Sequence, residues 1–104
     1  MAAVIVLSTV DSPELAHRIA SALVEQGQAA CVSIIPGVRS IYRWEGRICD
    51  DAEIQLVIKT TEARFESVRS TIRLLHSYQV PEILALPVHD GDKEYLGWLS
   101  GQLD

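Results

Sequence analysis

The chain has 104 residues, enough for one domain, taken as residues 1–104, built on one hydrophobic core. Fourteen acidic against nine basic side chains leave a formal charge of −5, with no acidic tail; this argues against a generic nucleic-acid or anionic-membrane surface and suits small cations better. Apolar residues make up 48%, which in so small a chain suggests surface hidden against a copy of itself.

Residues 2–9 (AAVIVLST) form a continuous β-branched and aliphatic run, expected as a central strand covered on both faces. Asp11, Ser12 and Pro13 end it and start a helix. Asp11 or Ser12 can cap the free amides, Pro13 suits the first turn, and Glu14 can close a capping box with Asp11. Leu15, Ala16, Ile19, Ala20, Leu23 and Val24 then recur at helical spacing until Gly27.

A second strand is expected over residues 30–35, with a break at Pro36-Gly37 and a resumption over 38–44. Pro36 cannot donate to a ladder, so the break belongs at a bulge or an edge. Glu45-Gly46 turns the chain, residues 47–49 begin a return arm, and residues 53–61 read as a strand. A second helix is expected over 62–76, on the spacing of Phe65, Val68, Ile72 and Leu75. Residues 77–81 form a loop, 82–88 a strand ending at or near Pro87, and 93–103 a short helix carrying Tyr95, Leu96, Trp98, Leu99 and Leu103.

Strand, helix, strand, strand, helix, strand is the order of an α+β, ferredoxin-like βαββαβ sandwich, here with an extended hairpin and a short C-terminal helix. Two helices cover one face of an antiparallel sheet. The other face would leave Val and Ile side chains of the first and third strands wet, and a partner sheet in a homo-oligomer removes that cost.

No GxSxG, Walker, GxGxxG, HExxH, CxxC or EF-hand pattern is present, and the chain is expected to be non-enzymatic. Cys31 and Cys49 accompany no charged segment followed by an apolar run and a cleavage site, so both are expected as free thiols of a cytoplasmic protein. Residues 2–10 and 83–88 are too short to insert into a membrane. His76 falls at a helix C-terminus, where an imidazolium is favoured. His17 and His89 have the ordinary settings of a solvent face and a turn. Lys59, inside an otherwise apolar strand, needs a partner: an anion or Glu82. Lys59, Tyr78 and Glu82 together define a candidate ligand cleft. Tyr42 and Trp44 offer broad amphipathic surfaces suited to subunit contacts without needing to form a ligand cage.

Four blocks stand out, Ala29-Ala30-Cys31-Val32, Gly37-Val38-Arg39-Ser40-Ile41-Tyr42-Arg43-Trp44-Glu45-Gly46, Ile58-Lys59-Thr60-Thr61 and His76-Ser77-Tyr78-Gln79-Val80-Pro81-Glu82-Ile83, joined by Leu86-Pro87-Val88 and Tyr95-Leu96-Gly97-Trp98-Leu99. In these blocks and their order the chain resembles the CutA divalent-cation tolerance family. The resemblance implies a homotrimer whose sheets face inward, a hairpin around residues 42–47 that reaches a neighbouring subunit, and a role in divalent-metal response, with copper or another divalent cation as ligand. The copper ligands it implies are a cysteine late in the first strand and two histidines closing the second helix. Ser8, Leu75 and His76 occupy those positions here, so one ligand type of three remains. His76 from several subunits, or Cys31 from a nearby strand, could complete a site. Ser77 and Gln79 stand where the family commonly has proline and glutamate. The trimeric nitrogen-regulatory proteins, small-ligand-sensing modules of similar architecture, are the alternative.

Overall fold

A computed structural model describes residues 2–104 and places strand β1 (Ala3–Val10) inside a four-stranded antiparallel sheet of order β2-β3-β1-β4. The remaining strands are β2 (Cys31–Trp44), β3 (Arg47–Thr61) and β4 (Leu84–Pro87), and the helices are α1 (Pro13–Glu25), α2 (Phe65–Leu75) and α3 (Lys93–Gly101). This is the expected ferredoxin-like arrangement, with its long hairpin and terminal helix. Among the described residues no helix is long and apolar enough to cross a membrane.

Side chains alternate across a strand, so register decides which residues share a face. Val4, Val6, Ser8 and Val10 of β1 lie opposite Thr60, Ile58, Leu56 and Ile54 of β3. This set faces the helices: Val6, Val10, Leu56 and Ile58 form one core with Ile19 and Leu23 of α1 and Val68 and Ile72 of α2. Ile5, Leu7, Val57 and Lys59 take the opposite face, joined in register by Leu84 and Leu86 of β4.

Several boundaries differ from expectation. Strand β2 runs unbroken through Pro36-Gly37, with one extra residue absorbed where the register steps from Ile35 opposite Gln55 to Val38 opposite Glu53. Gly37 takes φ +78° there, a conformation that favours glycine. β3 starts at Arg47, well before Glu53, because Asp50 and Asp51 are held in the ladder by Arg39 and Tyr42 across the hairpin. Ser12 is the cap of α1, its Oγ accepting from Leu15 N–H at 3.1 Å; an Asp11–Glu14 capping box is therefore not formed, since Leu15 holds the third helical position. The second helix opens as a 3-10 turn (Glu62–Arg64) and ends at Leu75, with His76 already extended. β4 is only four residues long. The last helix stops at Gly101.

The β2–β3 hairpin extends past the rest of the sheet. β1 pairs with β3 only from Ile54 onward, so residues 38–44 and 47–53 have only each other as ladder partners. The bulge sets what this arm displays. By inserting one residue it keeps Tyr42 and Trp44 on the same face as Ile35, Val57 and Ile5, where an unbulged strand would have turned Ile41 and Arg43 to that face.

Candidate functional site

A groove of about 660 Å³ lies where the hairpin arm meets the loop after α2. Its walls include Thr9 at the end of β1, Tyr42 and Trp44 of the hairpin, Glu53 of β3, and Tyr78 and Glu82 of the loop. Glu53 is 8% exposed, and a carboxylate so deeply placed needs a donor. Tyr78 supplies one: its hydroxyl donates to Glu53 Oε2 at 2.6 Å. Burial first, and then this bond and the negative charge of Glu53, push the Tyr78 phenol well above its ordinary range. Tyr42 donates in the same way to Asp51, and its phenol is pushed up to about 12, chiefly by that bond.

His76 positions the loop. Its Nε2 lies 2.7 Å from the carbonyl oxygen of Thr9, and its Nδ1 accepts from the backbone N–H of Tyr78 at 3.0 Å. A carbonyl can only accept, so the proton sits on Nε2 and the ring is the neutral tautomer with both nitrogens engaged. The rings of His76 and Tyr78 are 4.7 Å apart, tilted by 46°. His76 thus ties the end of α2 to β1 and aims Tyr78 at Glu53.

Of the expected ligand cleft, Tyr78 and Glu82 come together and Lys59 does not. Lys59 is six residues from Glu53 along β3, or about 20 Å of extended chain. Its Nζ lies 4.0 Å from Cys31 Sγ across the β2–β3 ladder. The expected Lys59–Glu82 pair is therefore not formed, and Lys59 takes a cross-strand thiol as its neighbour. Glu53 joins Glu82 as a second charged group of the groove. In the sequence Glu53 looks like no more than a strand start; the one signal is its place on the same face as Gln55 and Val57, where a lone carboxylate is costly.

Among the described residues of this chain, the side chains at the implied copper-ligand positions do not come together. His76 has no free ring nitrogen. Ser8, at the position implied for a cysteine, is fully buried on the helix side, and among the described residues its hydroxyl has no hydrogen-bond partner. Cys31 is level with Ile5 in the sheet while His76 binds Thr9, four residues or about 13 Å farther along β1. Leu75 offers no donor, and among the described residues no three His, Cys, Asp or Glu side chains gather as a metal-holding group. Cys31 and Cys49 are both free thiols.

Tyr42 and Trp44 are each 41% exposed on the open face. Ile35, Leu84 and Leu86 are similarly uncovered, at 43%, 56% and 48%.

The family model described as CutA1 divalent ion tolerance protein matches residues 4–102. The divalent-cation tolerance protein CutA of Thermus thermophilus is 52% identical over 95 residues, covering 91% of this chain and 92% of that protein. The crystal structure of CutA1 from Oryza sativa superposes with a TM-score of 0.97 at 38% identity, covering 100% of this chain and 95% of the other. The structure of the periplasmic divalent cation tolerance protein CutA from Archaeoglobus fulgidus gives a TM-score of 0.95 at 37% identity, covering 98% of this chain and 99% of the other.

Proposed function

Because the chain belongs to the CutA1 divalent ion tolerance family, we propose that it serves the response to divalent cations as a cytoplasmic, non-enzymatic homotrimer. The observation that supports this best is the uncovered sheet face. Ile35, Leu84, Leu86, Tyr42 and Trp44 lie there in one continuous display with half-buried Ile5, Leu7 and Val57. Covering such side chains is worth up to roughly 1.5–3 kcal/mol each, and closed symmetry covers all copies at once. The projecting hairpin carries Trp44 to a neighbouring subunit in this reading.

The direct form of the response is weak copper binding, in which His76 surrenders one of its two hydrogen bonds and the remaining donors converge from other subunits. The groove favours a second form, a small-ligand-sensing module resembling the trimeric nitrogen-regulatory proteins. Its volume of about 660 Å³ is that of a small-molecule site, and two carboxylates, Glu53 and Glu82, stand among its walls.

Native mass spectrometry of the untreated protein, then titrated with copper and zinc, tests both forms. The expected species is a trimer of about 35 kDa, three times the chain mass of 11.5 kDa, taking up copper only at metal excess and less in His76→Ala. A small organic mass retained by the untreated trimer supports the sensing form. Equal copper uptake by wild type and His76→Ala removes His76 from the metal contact.

A further inference from the structure

We propose that Arg47 from the hairpin of a neighbouring copy of this chain completes the carboxylate groove, pairing with Glu53 and Glu82. This rests on the homotrimer reading and names the charged contact that the arm makes.

Glu53 creates the demand. It is 8% exposed, and the one hydrogen bond its carboxylate receives among the described residues comes from Tyr78, to Oε2. Glu82 stands in the same groove. Covering the groove with a second subunit takes both carboxylates further from water, so the covering surface has to bring a counter-charge.

No cation of the same chain supplies it. Lys59 is about 20 Å of extended strand from Glu53, with Cys31 as its neighbour. Arg39 is committed to Asp50, donating from Nε at 2.7 Å and from Nη2 at 3.1 Å. Arg18, Arg64, Arg69, Arg73 and Lys93 are carried by the helical segments rather than by the strands that frame the groove.

Register singles out Arg47. It lies opposite Trp44 in the β2–β3 ladder and so shares the face of Tyr42 and Trp44, the arm's partner contacts in the trimer, whereas Arg43, opposite Ile48, takes the other face. In one chain Arg47 is exposed, and neither ion pair among the described residues includes it. It also stands about 20 Å along β3 from Glu53, a span that no arginine side chain closes, so the two meet only between copies.

Each subunit thus carries a cation at the tip of its arm and carboxylates at the base. A donor and an acceptor on different parts of one chain make a head-to-tail contact, which a closed ring satisfies in every copy. A guanidinium suits the task, because its planar fork reaches carboxylate oxygens with several N–H groups and is weakly hydrated.

Two measurements on the full-length protein test this. Sedimentation equilibrium of Arg47→Gln, of Glu53→Gln combined with Glu82→Gln, and of all three together forms a double-mutant cycle on trimer dissociation. Arg47→Gln alone should weaken association at least about tenfold, and should cost little more once the two carboxylates are gone. In Arg47→Lys, a water-soluble carbodiimide should join the introduced amine to a carboxylate touching it, giving more covalent dimer and trimer on denaturing gels than wild type treated alike. Peptide mass mapping should place that link at Glu53 or Glu82, and this measurement stands if the carboxylate variants do not fold. Additive losses in the cycle, or an intact trimer in which the introduced lysine is linked to neither Glu53 nor Glu82, overturn the Arg47 pairing and leave the homotrimer. A monomeric wild type overturns both.

Discussion

His76 Nε2 donates to the carbonyl oxygen of Thr9 at 2.7 Å, joining the end of α2 to the end of β1 across 67 residues of sequence. The same ring accepts from Tyr78 N–H, so a single neutral imidazole fixes the loop that forms one wall of the groove. The residue that sequence resemblance assigns to a metal is here a structural fastener.

Truncation of His76 should therefore be felt in stability whether or not metal is present. His76→Ala leaves the Thr9 carbonyl and the Tyr78 N–H without their partner, at a cost of about 1–3 kcal/mol. Denaturant unfolding at fixed protein concentration and in the presence of a chelator measures this. A loss below about half a kcal/mol would mean that water replaces the ring at no cost.

The raised phenols of Tyr78 and Tyr42 predict sensitivity to alkali. A group whose folded-state pKa lies above its unfolded value stabilises the fold fully below the unfolded value, about 10 for tyrosine, and loses that contribution as pH rises through the folded one. Stability should thus decline from about pH 10 upward, through the value of about 12 for Tyr42 and beyond it for Tyr78. Tyr78→Phe should be less stable than wild type at pH 8 and show a shallower decline above pH 10. Parallel curves for the two proteins would contradict the assignment.

The Pro36-Gly37 bulge sets the face that the hairpin presents, which makes it a sharper test of the arm than any surface change. Deleting Gly37 removes the extra residue opposite β3 and turns Tyr42 and Trp44 away from the open face. The deletion should weaken subunit association at least as much as Trp44→Ala, for which loss of a buried ring predicts several kcal/mol. Association unchanged in both variants would place the arm outside the interface.

Glu45 occupies the hairpin turn with φ +49°, followed by Gly46 at +78°. Two successive positive φ values belong to the turn for which Asn-Gly is the preferred pair. Glu45→Asn should raise stability by about 0.5–1 kcal/mol, since a non-glycine side chain in the left-handed region costs roughly 1–2 kcal/mol and Asn tolerates it best. Thermal unfolding would detect it, and a lowered melting temperature would mean that Glu45 has a contact outside the turn.

Much of this was legible in the sequence because local chemistry and global fold agree. Unbroken apolar runs gave β1, helical spacing gave α1 and α2, and Pro36 marked the bulge. What the sequence could not display was distance. Lys59 and Glu82 look like natural partners on paper, but six residues of strand separate Lys59 from the groove, and it is the less conspicuous Glu53 that Tyr78 reaches. The join between the return arm at residues 47–49 and the strand at 53–61 has the same origin: Asp50 and Asp51 look unsuited to a strand until Arg39 and Tyr42 meet them across the hairpin. Likewise, His76 reads as a ligand until the Thr9 carbonyl, far away in sequence, is seen to hold its proton.

The open apolar face, the bulge-directed hairpin and the proposed function all require association, which sedimentation equilibrium at micromolar concentration measures. The expected result is a single species of about 35 kDa, three times 11.5 kDa, that releases no folded monomer on dilution. A stable, cooperatively folding species of 11.5 kDa would contradict it.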